Sequence, residues 1–168
     1  MALPLVCLLL FVFTSCNNET PLIPRSTTLA QSDDYKPSIY PVSFDQITNV
    51  NGYGERVNPI TKKNDFHHAI DFAAKEGEEV MATANGVVVE AKFDEEKGMG
   101  NYILVKHDDV YSTFYAHLKS LKVKDGDILK KGQVIGYVGS TGISTGSHVH
   151  YEVHKNGERV NPKDYLPK

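Results

Sequence analysis

Gly146-Ser147-His148-Val149-His150-Tyr151-Glu152-Val153 alternates in character, and the fold turns on how it is read. Residues two apart on a β-strand share a face. As a strand, the run sets His148 and His150 side by side, with Val149, Tyr151 and Val153 on the opposite face. Two imidazoles so placed are metal ligands, a ligand beside an acid–base group, or two exposed histidines of a hairpin. The stretches around them have to choose.

The same alternation recurs on the N-terminal side. Tyr111 to Leu118 reads as a strand with Thr113, Tyr115 and His117 on one face and Phe114, Ala116 and Leu118 on the other. Asn101 to His107 is a further strand, and Asp108-Asp109 is the turn between the two. Val80 and Ala82, then Asn85-Gly86, then Val87 to Val89 predict a hairpin turning at Asn85-Gly86. Val123 to Val138 is a set of short strands joined by glycine turns, a pattern that resembles the hammerhead barrel of lipoyl and biotinyl carrier domains. No lysine stands at a hairpin tip to be modified. Gly139 to Gly146 is a flexible loop of small residues that lets a bound chain approach closely. It has no Lys and no following helix, so it is not a phosphate loop. Lys155-Asn156-Gly157-Glu158 is a second hairpin turn. Helical periodicity is scarce, and the pattern predicts an all-β antiparallel sheet or sandwich with an open groove. The 168 residues suit one domain of ordinary size, and a formal net charge of −3 gives no electrostatic basis for binding nucleic acid.

The N-terminus stands apart. Leu3 to Phe13 is apolar, too short for a permanent bilayer span, and suits the core of a signal peptide. With Thr14-Ser15-Cys16 it resembles a bacterial lipobox, although no Lys or Arg precedes the apolar run. That resemblance implies a leader over 1–16, a lipid anchor to the membrane through Cys16, and a place in the cell envelope facing the periplasm or the outside. Cys7 would leave with the leader, so the mature chain has no disulfide and no cysteine metal site. Residues 17–47, with Pro21, Pro24, Pro37 and Pro41, read as a flexible tether, with docking of Tyr35 to Phe44 on the domain as the alternative. The domain proper is read as 48–168.

Asp65 to Ala74 carries the other half of the chemistry. As one strand it has Phe66, His68, Ile70 and Phe72 on one face and His67, Ala69, Asp71 and Ala73 on the other. His67 and Asp71 flank a small residue, as two converging metal ligands require, and His150 would supply a third. Two histidines and a carboxylate with an open fourth position form a catalytic zinc arrangement. The HExxH helix of thermolysin-type proteases is absent.

Eight phrases then fall in a familiar order: Gly54-x-Arg56-x-Asn58-Pro59, Phe66-His67-x-x-Ile70-Asp71-Phe72-Ala73-Ala74, Ala84-Asn85-Gly86-Val87-Val88, Gly100-Asn101-Tyr102, Tyr115-Ala116-His117-Leu118, Gly126-Asp127-x-x-x-Lys131-Gly132-Gln133-x-Ile135-Gly136, Gly139-Ser140-Thr141-Gly142 and His148-x-His150-x-Glu152. From about Gly52 to Leu166 the chain resembles the lysostaphin-type (LytM-like) zinc endopeptidases. The resemblance implies cleavage of peptide bonds in peptidoglycan by a monomeric domain with one zinc ion. It implies His67, Asp71 and His150 as zinc ligands and His117 and His148 as catalytic histidines. Ala69 replaces the family's usual Gly and is expected to narrow the site slightly. His68, His107 and His154 match no site position and are expected to be structural or on the surface. The alternative within the resemblance is a non-catalytic wall-binding regulator of other hydrolases.

Overall fold

The computed structural model describes residues 33–94 and 98–168. The leader read at 1–16 and the first part of the tether lie outside the described residues. Among the described residues thirteen strands follow in order: β1 (Asn49–Asn51), β2 (Gly54–Val57), β3 (Asn64–His67), β4 (Ile70–Ala73), β5 (Glu79–Met81), β6 (Gly86–Asp94), β7 (Gly100–Lys106), β8 (Tyr111–Leu118), β9 (Ser120–Leu121), β10 (Ile128–Leu129), β11 (Val134–Tyr137), β12 (His148–Lys155) and β13 (Glu158–Val160). The architecture is all-β and every pairing is antiparallel.

The main sheet runs β1-β4-β12-β8-β7-β6-β10, with β13 beside the far half of β12. A small sheet, β5-β11-β9, accompanies it, and β2-β3 forms a separate ribbon. The core holds one face of the central strands: Ile70 and Phe72 of β4, Tyr115 of β8, and Val149, Tyr151 and Val153 of β12, joined by Val80 and Ile135 of the small sheet. The opposite face of β4 and β12 carries Asp71, His148, His150 and Glu152.

The strand and tether expectations differ from the structure in three places. The run 65–74 is not one strand: it breaks at His68–Ala69, β3 pairing with β2 and β4 with β1 and β12. Phe66 consequently misses the core and stands 44 % exposed, packed on Tyr53 and His68. Ala69 is fully buried at the break.

Asn85-Gly86 is not a hairpin turn either, since β5 pairs with β11 while β6 pairs with β7 and β10. Asn85 instead ties distant segments, accepting from Lys131 N at its side chain and donating its own N–H to Asp34 O. Gly86 is needed for closeness: a Cβ there would sit 2.6 Å from Lys106 O and 2.8 Å from His107 Nδ1.

Residues 33–47 do not hang free as a tether. Met81 N–H donates to Pro41 O and Ser38 N–H to Thr83 O, Val42 is 1 % exposed, and the Tyr40 ring meets Phe72 edge-on. Tyr40, Val42 and Ile47 are the residues of this stretch that pack against the core, and burying them there fixes the segment. Phe72 points away from Asp71, so this docking is on the core side of β4, and none of 33–47 lines the groove described below.

The Asn156-Gly157 turn forms as expected, both residues at positive φ between Lys155 and Glu158. Within the core a polar chain links the two sheets. Tyr151 OH donates to Thr83 Oγ1, Thr83 N–H donates to Tyr115 OH, and Tyr115 OH lies 3.0 Å from Thr113 Oγ1. Thr113 Oγ1 is 2.8 Å from Nε2 of His107, whose Nδ1–H donates to Asn85 O. His107 is thus structural, 1 % exposed.

Candidate metal centre and active site

Asp71 and His150 are register partners on β4 and β12, and His67 closes β3 just before the break. Their ligand atoms lie within 4.8 Å of one another. Asp71 Oδ1 is 3.2 Å from His67 Nε2 and 2.9 Å from His150 Nδ1. Donors about 2.0–2.1 Å from a tetrahedral metal ion stand roughly 3.3 Å apart, so this spacing suits one.

Each ligand's other atom is already engaged, which selects the converging one. His67 gives its Nδ1–H to Gly52 O. His150 gives its Nε2–H to Glu152 Oε1. Asp71 Oδ2 accepts from Asn51 Nδ2 and Arg56 Nη1. His67 Nε2 is left buried without a hydrogen bond, beside a carboxylate oxygen. A lone pair facing an anion in a buried place calls for a cation between them, and the three residues fit a metal ion on that ground.

The ionisation of the site follows from its geometry. Burial raises the Asp71 carboxyl, but the hydrogen bond from His150, with the His67 imidazole close beside it, outweighs this and holds it well below the usual carboxylate range. Burial disfavours charge on His150, yet its bonds to Asp71 and Glu152 prevail and hold the imidazolium up to about 9. Burial likewise opposes the Glu152 carboxylate, and the bonds from His150 and His154 bring it down to about 2. In the metal-free protein a proton on His150 Nδ1 therefore occupies the place a cation would take.

His148 and His117 stand beside this centre. His148 Nε2 is 4.0 Å from Asp71 Oδ1, and the His117 ring lies 4.8 Å from that of His148 and 5.8 Å from that of His150. His117 reaches this face through a bulge. Asn101 pairs with Leu118 but Ile103 with Tyr115, so β8 carries one residue more than β7 across the gap. His117 takes up the extra length at φ 61, while Tyr115 and Leu118 stay in the core. Simple alternation puts His117 on the core face with Thr113 and Tyr115, and the bulge turns it into the groove. Left-handed backbone at a non-glycine residue costs about 1–2 kcal/mol. Burial pushes its imidazole down to about 4, the Thr141 carbonyl opposing and His148 and His150 reinforcing the shift.

An open groove of about 240 Å³ passes over the centre, lined by Arg56, Ile60, Met99, His117, Ile143 and His150 among others. A second depression of about 200 Å³ continues it past Asp71 and His148 toward Asn49 and Gly146. The structure thus places Asp71, His117, His148 and His150 along one groove, with His67 buried beside Asp71. His68 packs on Phe66 away from it, and His154 donates to Glu152 at 2.6 Å. Of the supporting residues, Arg56 and Glu152 stand in the quoted family phrases without a role assigned to them, and Gly52 carries no signal of its own.

A pH prediction follows from the buried imidazoles. Burial also holds His107 down to about 4. The unfolded chain takes up protons on His107 and His117 near 6.5 while the folded chain does not, so stability falls as pH drops from about 6.5 toward 4. Each is worth on the order of 3 kcal/mol at the acid limit. His150 runs the other way, its contribution complete below 6.5 and lost as pH rises toward 9. The urea midpoint of the metal-free chain should fall between pH 6.5 and 4.5, and His107→Gln should roughly halve that slope.

The sequence profile of Peptidase family M23 matches residues 65–162. The DD-carboxypeptidase/endopeptidase Mpg of Neisseria meningitidis serogroup B is 41 % identical over 126 residues, covering 74 % of this chain and 28 % of its own length. The peptidoglycan DD-endopeptidase ShyC of Vibrio cholerae is 36 % identical over 123 residues, covering 73 % and 28 %. A crystal structure of a zinc-containing peptidase from Vibrio cholerae superposes with a TM-score of 0.67 at 36 % identity, over 75 % of this chain and 39 % of that one. This chain therefore spans little more than a quarter of the curated relatives it matches. The matched span is well over half of the 168 residues and contains His67, Asp71, His117, His148 and His150, and on that footing the chain belongs to peptidase family M23.

Proposed function

We propose that this chain is a zinc-dependent endopeptidase that hydrolyses peptide cross-links of bacterial peptidoglycan, held in the cell envelope by a lipid on Cys16. The observation that carries the reading is the convergence of His67 Nε2, Asp71 Oδ1 and His150 Nδ1 under an open groove, with two further imidazoles at their side. The relatives named for peptidoglycan and for zinc support the substrate and the metal.

His67, Asp71 and His150 would hold the zinc. When bound, zinc supplies Lewis acidity that polarises a carbonyl and brings the pKa of water toward neutrality. The groove lets an extended peptide lie across the centre, between Ile60 and Ile143 at one end and Asn49 and Gly146 at the other. His117 and His148 act on protons. A neutral Nε2 on this wall takes a proton from the attacking water, and an imidazolium there returns one to the departing amine. Arg56 holds Asp71 while keeping its own second bond to Asp65.

The test is digestion of purified peptidoglycan by the full chain, with zinc and with chelator, the products read by mass. Loss of cross-linked dimers only with zinc supports the reading and identifies the bond. Intact dimers despite one bound zinc per chain would sink it in favour of a wall-binding regulator.

A further inference from the structure

The Gly139–Gly146 segment is not the loose loop its composition suggests. Ile143 N–H donates to Gly98 O at 2.7 Å and His148 N–H to Gly139 O at 3.0 Å. Its contacts are so close that only glycine fits: a Cβ on Gly142 would sit 2.3 Å from Gly98 O, and one on Gly100 2.4 Å from Thr141 Oγ1. Thr141 is at the centre of this seam. Its Oγ1–H donates to Leu118 O at 2.7 Å, and the same oxygen accepts from Asn101 N at 3.0 Å. Its N–H donates to His117 O, and its own carbonyl accepts Nδ1–H of His117 at 2.9 Å.

Those bonds bracket the bulge. Leu118 O and Asn101 N lie on the two strands whose register slips at His117, so the Thr141 hydroxyl joins them where the ladder fails. The same loop holds the second groove histidine by the same means. His148 gives its Nδ1–H to Gly146 O at 2.7 Å, and Ser144 Oγ, bonded to Gly146 O, is 3.4 Å from that nitrogen. A backbone carbonyl only accepts, so each bond puts the ring proton on Nδ1 and leaves Nε2 with its lone pair. Where a histidine must act as a base, the wrong tautomer is severely damaging: about 10⁴-fold in the serine-protease case.

We propose that Thr141 is a positioning residue: its carbonyl fixes His117 in the Nδ1–H tautomer, and its hydroxyl locks that carbonyl across the bulge. The inference rests on the endopeptidase reading for its effect on rate, but its structural content is separate from it.

The experiment uses the full chain, labelled with ¹⁵N-histidine and held in detergent, metal-free and zinc-loaded. Long-range ¹⁵N–¹H spectra of the neutral imidazoles are expected to show His117 protonated at Nδ1. Thr141→Val should blur that signature into a mixture of tautomers. It should also lower kcat about 10–10²-fold, part of the 10²–10⁴ that acid–base help supplies. KM and zinc affinity should hold, and Thr141→Ser should restore both spectrum and rate. A merely structural threonine would move zinc affinity and KM with kcat and leave the tautomer alone. An Nε2-protonated His117 in the unsubstituted chain overturns the proposal whether or not Thr141→Val folds, as does a Thr141→Val chain with unchanged spectrum and kcat. A chain that cleaves nothing yet shows the Nδ1–H signature, lost in Thr141→Val, keeps this inference and defeats the endopeptidase reading.

Discussion

His150→Ala is expected to leave the chain folded, unable to retain stoichiometric zinc through gel filtration, and without measurable cleavage. The substitution removes one of three converging donors, and a catalytic zinc site is built on three. It also strips half-buried Asp71 and buried Glu152 of their shared partner. Asp71 Oδ1 loses a bond of 2.9 Å and Glu152 Oε1 one of 3.2 Å. Asp71 keeps Asn51 and Arg56, and Glu152 keeps His154 and Arg159, so both carboxylates remain partly satisfied and the strand pairing of β12 survives. Glu152→Gln provides the graded comparison. It retains all three donors but changes what His150 Nε2–H meets, and partners of this kind are worth about 10–100-fold in metal affinity. Competition with a chromogenic chelator measures both. Equal zinc affinity in His150→Ala and the unsubstituted chain would remove His150 from the centre. Equal affinity in Glu152→Gln would mean that the carboxylate does not tune it. Because the metal displaces a proton from His150 Nδ1, affinity in the unsubstituted chain should also weaken as pH falls below about 9.

What was legible in the sequence was what alternation encodes. The β12 run has its two faces as read, because Val149, Tyr151 and Val153 are buried by the core and drag the register with them. The Asn156-Gly157 turn was legible because both residues tolerate positive φ. What failed was non-local. Asn85-Gly86 has the composition of a turn, but its glycine answers to the closeness of Lys106 and His107, which nothing adjacent in sequence announces. Phe66 belongs to an apolar face only while 65–74 stays one strand, and the break at Ala69 is set by separate partners for β3 and β4. Residues 33–47 look like linker because prolines and polar residues outnumber Tyr40, Val42 and Ile47, yet those few suffice to dock the segment. His117 shows the limit most sharply. Alternation sets it on one face with Thr113 and Tyr115, yet those two are buried in the core, and a one-residue bulge is what carries His117 to the groove. Glu152 and His154 were within reach, sharing the face of His148 and His150 at steps of two.

His117→Gly and His117→Ala are both expected to cut kcat by about 10²–10⁴ while zinc stays bound, and to differ in stability. His117 is not among the three converging donors, so its loss leaves the metal site intact. The rate falls because an imidazole on the groove wall, 4.8 Å from the ring of His148, no longer exchanges protons there. His148→Ala should fall in the same range, since its Nε2 stands 4.0 Å from Asp71 Oδ1 and its Nδ1–H is already committed to Gly146 O. Removing both rings should cost less than the product of the two losses if they serve one proton path. The stability comparison isolates the bulge. At φ 61 alanine keeps the strain that histidine bears, whereas glycine has none to bear. His117→Gly should therefore be about 1 kcal/mol more stable than His117→Ala, the reverse of what glycine does in an ordinary strand. Urea unfolding of the two metal-free variants at neutral pH reads this difference. If alanine is the more stable, the positive φ is not held by the fold. If either single variant keeps full kcat with zinc bound, the imidazole it removes takes no part in the chemistry. A strained residue that slows the enzyme when relaxed is what is expected where the backbone is bent to aim a side chain. Here the strain sits at the one position on β8 where the core asks for an apolar residue and the groove asks for a base.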